Sequence, residues 1–223
     1  MRALLLPIKD LRNSKQRLAG VLTGEQRFGL AQAMLEDTIR AVRGVKLAEK
    51  IFVVTNHEPA AAMAEECGWE VLREEWQISE SDSVDAASRI CAGRGVAGLL
   101  RLPLDVPLVQ ASDIDELLGT EYPERAMVIV PSRDGTGTNA ILRMPPTLFP
   151  SHFGPGSFAK HWREAGKAGA TAIVKRNARI EMDVDDEADL RELLRHDLSG
   201  TKTGDWLEMN GVAARFRAYA SAV

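Results

Sequence analysis

The sequence predicts one α/β domain with a mostly parallel sheet and helices on both faces. Three observations carry this. Short apolar runs suited to buried strands alternate with segments whose apolar residues recur at helical spacing. The chain has 223 residues, 45% of them hydrophobic, enough for one large core. Polar residues of chemical interest follow directly after apolar runs, where open α/β sheets bind ligands.

The elements follow in order. ALLLP reads as a buried strand, and GVLTGEQRFGLAQAMLEDTIRAV as a helix, with Phe28, Ala31, Met34, Leu35, Thr38 and Val42 on one face. Thr23 and Gln26 form a capping box that fixes its start. KIFVVT is a strand, Pro59 to Cys67 a helix, EVLRE a short strand and Ser83 to Ala92 a helix. GLLRLPL is the next strand, followed by a helix from Ser112 to Leu118 that a Ser112/Asp115 pair can cap. AMVIVPS and NAILRMP are two further strands around the turn RDGTGT. FGPGSFAKH opens a helix, TAIVKR is a strand, and DEADLRELLRH is a helix capped by Asp186 with Asp189 three residues on. The domain is expected to cover residues 1–196. Residues 197–223 are expected to be a tail with a helical appendage in which Trp206, Val212, Phe216 and Tyr219 are available for packing.

Composition narrows the function. A net charge of −4 and a pI near 5.7 give no overall attraction to nucleic acid or to an acidic membrane surface, so neither is an expected partner. Cys67 and Cys91 have no metal-ligand or disulfide spacing. The apolar run Ala3 to Leu6 is stopped by Pro7 and Lys9, too soon for a signal segment or a membrane span, and a cytoplasmic protein is expected. His57, His152, His161 and His196 show no ligand spacing, and His161 reads as a helix-surface residue. No Gly-x-Ser-x-Gly nucleophile motif is present.

Four stretches carry candidate chemistry. In LLPIKDLRNSKQRLAG, Lys9, Arg12, Lys15 and Arg17 share one loop after the first strand, where gathered cations can hold a triphosphate. In LRLPLDVPLV, Asp105 stands at a strand end between Pro103 and Pro107, a position suited to Mg²⁺. In EMDVDDEADL, Asp183 and Asp185 alternate along an extended segment and point to one face, where they can share a cation with Asp105. In GTGTN, Gly135 and Gly137 free the backbone while Thr136, Thr138 and Asn139 offer hydrogen bonds, although the same residues also suit a plain hairpin turn. With Gly154, Gly156 and Ser157, where a helix start exposes backbone N–H groups, they make a second anion site.

Taken together and in this order, these motifs resemble the 2-phospho-L-lactate guanylyltransferase family, within the MobA-like nucleotidyltransferases and their single Rossmann-like domain. The resemblance spans roughly residues 1–195, leaving the tail outside it. It implies transfer of GMP from GTP to a phosphorylated three-carbon acid, with release of pyrophosphate, on the route to coenzyme F-420. The acid is 2-phospho-L-lactate, phosphoenolpyruvate or 3-phospho-D-glycerate. It also implies Mg²⁺ on Asp105, Asp183 and Asp185, and a catalytic set of Lys9, Lys15, Arg17 and Asp105. The nucleotide would lie against Leu6, Pro7, Lys9, Lys15, Pro103 and Asp105. The acceptor would lie against Thr138, Asn139, Gly154, Gly156 and Ser157. Where many members carry Gly-Leu-Asn against the nucleotide, this chain has Ser81, Asp82, Ser83 and Asp85, which can hydrogen-bond a base or ribose. A homodimer is compatible with the resemblance.

The acceptor of such a reaction is already an anion, so no protein base is needed, and positioning and charge neutralisation supply the catalysis. Two other readings remain at this level. One is a MobA-like transferase for another nucleotide or acceptor, although the double-glycine loop of those relatives is missing after the first strand. The other is a non-catalytic nucleotide-binding module.

Overall fold

The computed structural model describes residues 1–119, 121 and 123–220, with side chains as far as residue 217 apart from those gaps. Seven strands form one sheet: β1 (Arg2–Pro7), β2 (Lys50–Thr55), β3 (Glu70–Arg73), β4 (Gly98–Arg101), β5 (Ala126–Pro131), β6 (Thr138–Met144) and β7 (Thr171–Val174). Their order is β3-β2-β1-β4-β6-β5-β7. Every pairing is parallel except those of β6, which runs antiparallel to β4 and β5.

Side chains of successive strand residues enter opposite layers, as the two-residue period demands. Leu4 and Leu6 of β1 pack with Ala41 and Val42 of α1 (Gly24–Arg43), Ala60 and Ala64 of α2 (Glu58–Glu66) and Ile114 of α4 (Ala111–Gly119). Ala3 and Leu5 pack the other way, with Val84, Ala87 and Cys91 of α3 (Glu80–Gly93). Further along that second face, Met127, Ile129 and Ile141 pack with Ala165 of α5 (Ser157–Lys167). The sheet is therefore buried on both faces, which is why its strands read as near-continuous apolar runs.

Helix starts follow the capping chemistry closely. Thr23 and Gln26 form a reciprocal box at α1, and Asp186 and Asp189 form another at α6 (Glu187–Leu193). The start of α4 is a correction: Ser112 lies inside the helix, and Asp113 accepts the Gln110 N–H. Asp115 turns elsewhere, accepting from the backbone N–H groups of Lys46 and Leu47 after α1.

The segment after Asp197 forms α7 (Lys202–Met209) and α8 (Val212–Ala220). Asp37 of α1 accepts from the N–H groups of Lys202 and Thr203, both at 2.8 Å, fixing the start of α7 on α1. Gly29 makes room for the Trp206 indole, which a Cβ there would meet at 2.6 Å. Leu207, Val212 and Phe216 share a buried cluster with Leu30 and Met34 of α1 and Leu190 of α6. The Tyr219 side chain and residues 221–223 lie outside the described residues. Among the described residues, no helix is long and apolar enough to cross a membrane.

Candidate active site

β1 delivers the chain to a loop of two short 3-10 turns, Leu11–Asn13 and Gln16–Leu18. Between them Lys15 adopts φ 54°, the one non-glycine left-handed residue among those described. That conformation costs about 1–2 kcal/mol for an L-residue. It turns the side chain inward: Lys15 is only 7% exposed, and its Nζ donates to Asp105 Oδ2 at 2.6 Å and Asp185 Oδ1 at 2.9 Å. Burial alone would lower the lysine's pKa, but Asp105 and Asp185 outweigh it and hold the ammonium above its ordinary value.

Asp105 lies past the end of β4, where Pro103 removes a ladder donor and the apolar run leaves the sheet. Its carbonyl accepts from Val184 N–H at 3.2 Å, joining the two acidic segments. Met182 and Val184 are buried, so Asp183 and Asp185 alternate onto the opposite side of their segment. Asn139 Nδ2 donates to Asp183 Oδ1 at 3.0 Å and to Ile180 O. Burial and the adjacent Asp105 push the Asp183 carboxyl up to about 6, with Asp185 adding to the effect.

The hairpin between β5 and β6 is stapled from within. Asp134 accepts from the Ser132 and Thr136 hydroxyls and from Thr136 N–H, while Ser132 Oγ accepts from Gly137 N–H. Gly154 (φ 106°) and Gly156 (φ 67°) take left-handed conformations in the turn entering α5. Two N–H groups at that helix start are already used, Ser157 by Gly154 O and Phe158 by Thr136 O. Ser157 Oγ donates to Thr138 Oγ1 at 3.1 Å, tying the two loops together.

Two adjoining cavities result. The first, of about 390 Å³, is lined by Pro7, Lys9, Asn13, Lys15, Ser79 and Ser83 among others. The second, of about 620 Å³, is lined by Arg17, Thr138, Asn139, Gly154, Ser157 and Asp183 among others. Glu80, Arg101, Pro103, Asp105 and Asp185 line both and form the common wall. Two ligands would meet there, with the Asp105–Lys15–Asp185 ion cluster at their junction.

The structure redistributes several expected residues. Lys9, Lys15, Pro7, Pro103, Asp105 and Ser83 gather at the first cavity. Arg17 lines the second cavity instead. The Leu6 side chain is wholly buried in the core and lines neither, because it belongs to the strand interior. Ser81, Asp82 and Asp85 also line neither cavity. Ser81 Oγ accepts the Phe153 N–H at 2.9 Å, and Asp85 accepts the Ser151 N–H at 3.0 Å and an Arg143 N–H at 3.2 Å. Asp82 accepts from the Ser79 hydroxyl at the start of α3. This helix therefore braces the loop of the second cavity.

Arg101, with its partner Glu80, and His161 were not read from the sequence as parts of the site or its support. Arg101 donates to Asn139 O at 3.0 Å, pairs with Glu80, and lies 4.4 Å from the centre of the Phe153 ring, with its Nε buried and unpartnered. A charge inside the apolar run GLLRLPL was the available signal. His161, expected on a helix surface, is fully buried: its Nδ1 lies 3.0 Å from Thr138 Oγ1, and its Nε2 accepts the His152 N–H at 2.8 Å. Its spacing from Phe158 and Ala165, on the inward face of α5, was the signal there.

The donor set can be tested against a divalent ion. Among the described residues, no group of three or more His, Cys, Asp or Glu could hold a metal by itself. The hard carboxylate oxygens at the common wall fit an ion of the Mg²⁺ type, which takes one or two carboxylates and completes its shell with phosphate and water. The Lys15 ammonium lies between Asp105 and Asp185 and neutralises both in this structure.

A mostly parallel sheet with paired cavities and acids beyond its strand ends is an α/β arrangement of the Rossmann-like kind. Solved structures agree at the level of fold. A protein assigned as a nucleotide-diphospho-sugar transferase from Desulfovibrio desulfuricans G20 superposes with a TM-score of 0.76 at 16% identity, covering 98% of this chain and 97% of its own. The family model described as Guanylyl transferase CofC like matches residues 1–222, and the chain belongs to that family. The match takes in α7 and α8, beyond the motifs that ended near residue 195. The chain is 33% identical to the phosphoenolpyruvate guanylyltransferase of Rubrobacter xylanophilus, over 85% of this chain and 91% of that protein. It is 28% identical to the 2-phospho-L-lactate guanylyltransferase of Methanothermobacter thermautotrophicus, over 91% and 88% respectively.

Proposed function

We propose that this protein binds GTP in the first cavity and a phosphorylated three-carbon acid in the second, and transfers GMP to the acid's phosphate with release of pyrophosphate. The observation that carries this reading is the common wall, where Arg101, Asp105 and Asp185 line both cavities at once. The names of the relatives support phosphoenolpyruvate or 2-phospho-L-lactate as acceptor; the resemblance adds 3-phospho-D-glycerate as the third candidate and a step toward coenzyme F-420. Phosphoenolpyruvate is the first to test.

In the reaction, an oxygen of the acceptor phosphate attacks the α-phosphorus of GTP. A new phosphorus–oxygen bond forms, the bond from the α-phosphorus to the bridging oxygen breaks, and the electron pair leaves with pyrophosphate. No proton has to move, because the attacking oxygen is already anionic. Lys9 and Lys15 hold and neutralise the triphosphate, and Arg101 supplies positive charge where the two phosphates meet. Arg17 draws the anionic acceptor into the second cavity. Thr138 and Ser157 orient it by hydrogen bonds, which converts an encounter of two anions into an aligned pair. Asp105, with Asp183 or Asp185, would hold Mg²⁺. That ion, when bound, supplies charge neutralisation and polarises phosphoryl oxygens.

Incubation of the protein with GTP, phosphoenolpyruvate and Mg²⁺, followed by ³¹P NMR, tests this reading. The expected result is a new guanosine diphosphate-type anhydride whose second phosphate comes from the acid. Accumulation of GMP or GDP alone would replace transfer by hydrolysis.

A further inference from the structure

His161 lines neither cavity, yet it governs the hydrogen bonding of two hydroxyls that line the second. A backbone N–H can only donate, so the 2.8 Å contact from His152 N–H makes His161 Nε2 an acceptor without a proton. The proton of the neutral ring therefore sits on Nδ1, which donates to Thr138 Oγ1 at 3.0 Å. Burial, with Arg143 and the other nearby cations, keeps the ring neutral by holding its pKa down at about 3.

The hydroxyls can now be counted. Thr138 and Ser157 lie 3.1 Å apart, so one O–H is consumed in their mutual bond. Because His161 donates, the other O–H remains free, and both residues border the cavity. With the opposite tautomer, Nδ1 would accept from Thr138 and Ser157 would donate to Thr138, leaving no O–H for a ligand. The tautomer thus changes the number of donors offered from none to one.

We infer that His161 is a positioning residue for the acceptor: held as the Nδ1–H tautomer by the His152 amide, it directs one hydroxyl proton of the Thr138/Ser157 pair into the second cavity, toward an anionic carboxylate or phosphate. This rests on the acceptor assignment made above, since the ligand must be an anion at that point.

Two side-chain replacements separate donation from packing. Asn at 161 can present an amide N–H near the Nδ1 position, whereas Gln places its amide near Nε2, where it can still accept from His152 but not donate to Thr138. His161→Asn should keep the KM for phosphoenolpyruvate within about threefold of the wild type, and His161→Gln should raise it at least tenfold, with the KM for GTP unchanged in both. In a Thr138→Val background, His161→Gln should add no further loss, because the two act as one unit. Equal behaviour of Asn and Gln, or parallel rises in both KM values, would overturn the inference. Should either variant fail to fold, ¹⁵N NMR of the wild-type imidazole decides the matter directly: the neutral Nδ1–H tautomer is expected, and the Nε2–H tautomer would overturn it. A wild type that turns over none of the three acids would remove the assigned reaction, while the tautomer measurement would still judge the hydrogen-bond relay.

Discussion

Replacing Lys15 with Met removes the cation from between Asp105 and Asp185 while keeping most of the side-chain volume. Deleting one partner of a fully buried ion pair costs about 3–5 kcal/mol, because the remaining charge is stranded. Here the lysine is 7% exposed but Asp105 and Asp185 are 29% and 45% exposed, so water can reach both carboxylates and reduce the cost. About 2 kcal/mol is a reasonable expectation, equivalent to about 4–8 °C in Tm for a chain of this size. Lys15→Gly loses the same pairs but relieves about 1–2 kcal/mol of left-handed strain, against up to about 1 kcal/mol of added unfolded-chain entropy. Glycine also removes the buried stem that Met retains, at about 0.8 kcal/mol per methylene, so it should melt below Lys15→Met. Thermal unfolding in EDTA gives the first comparison, and added Mg²⁺ should return part of the loss by supplying the two acids with another cation. kcat should fall at least about 100-fold in both variants, since charge on the departing pyrophosphate is no longer neutralised. A Lys15→Met protein that melts with the wild type in EDTA would refute the view that this cluster is held by its lysine.

Further outcomes follow from the same geometry. Asp105→Asn, which removes a charge from the common wall, should reduce turnover at saturating Mg²⁺ by at least about 100-fold, read by pyrophosphate release, and should also lower Tm, because the buried Lys15 ammonium keeps only Asp185 as an ionised partner. Arg101→Met should lower kcat more than it raises either KM, because its charge serves the junction where the phosphates meet; an effect confined to the KM for GTP would contradict this. Ser81→Ala should raise the KM for the acceptor several-fold and leave that for GTP unchanged, since Ser81 braces the Phe153 backbone and not the first cavity. His161 should make stability decline on acidification, against an opposing contribution from Asp183, whose raised carboxyl takes up a proton in the folded state below about pH 6. With His161 held down at about 3, the unfolded chain takes up its proton first below about pH 6.5. Its contribution is present above that pH and is lost by up to about 1.4 kcal/mol per unit between about 6.5 and 3. Denaturant titrations should show a shallower slope in His161→Asn.

The sheet and most helix starts were legible because they depend on local chemistry: apolar runs for β1, β2 and β5, and reciprocal side-chain caps at Thr23 and Asp186. The reach of β4 was less so. GLLRLPL reads as one strand, but pairing stops at Arg101, and Pro103 releases the chain to carry Asp105 outward. The acids at 105, 183 and 185 could be assembled from their motifs, yet the lysine among them could not, since the inward turn of Lys15 depends on a backbone conformation that its sequence does not announce. α3 shows the same limit. Ser81 and Asp85 have the donors and acceptors to read a base, and only the packing of α3 against residues 151–153 shows that they hold a loop. His161 was misread for a different reason: its hydrogen-bonding partners come from Thr138 and His152, on separate segments, and make a buried imidazole tolerable.

Guanylyl transfer, as proposed, joins two ligands that meet at the common wall. Its most direct test is pyrophosphate release by the purified protein with Mg²⁺, crossing GTP, ATP and CTP with phosphoenolpyruvate, 2-phospho-L-lactate and 3-phospho-D-glycerate. Release is expected with GTP and at least one of these acids, and none when the acid is omitted. A folded protein that is silent across the whole grid, or that releases pyrophosphate equally without any acid, would contradict it.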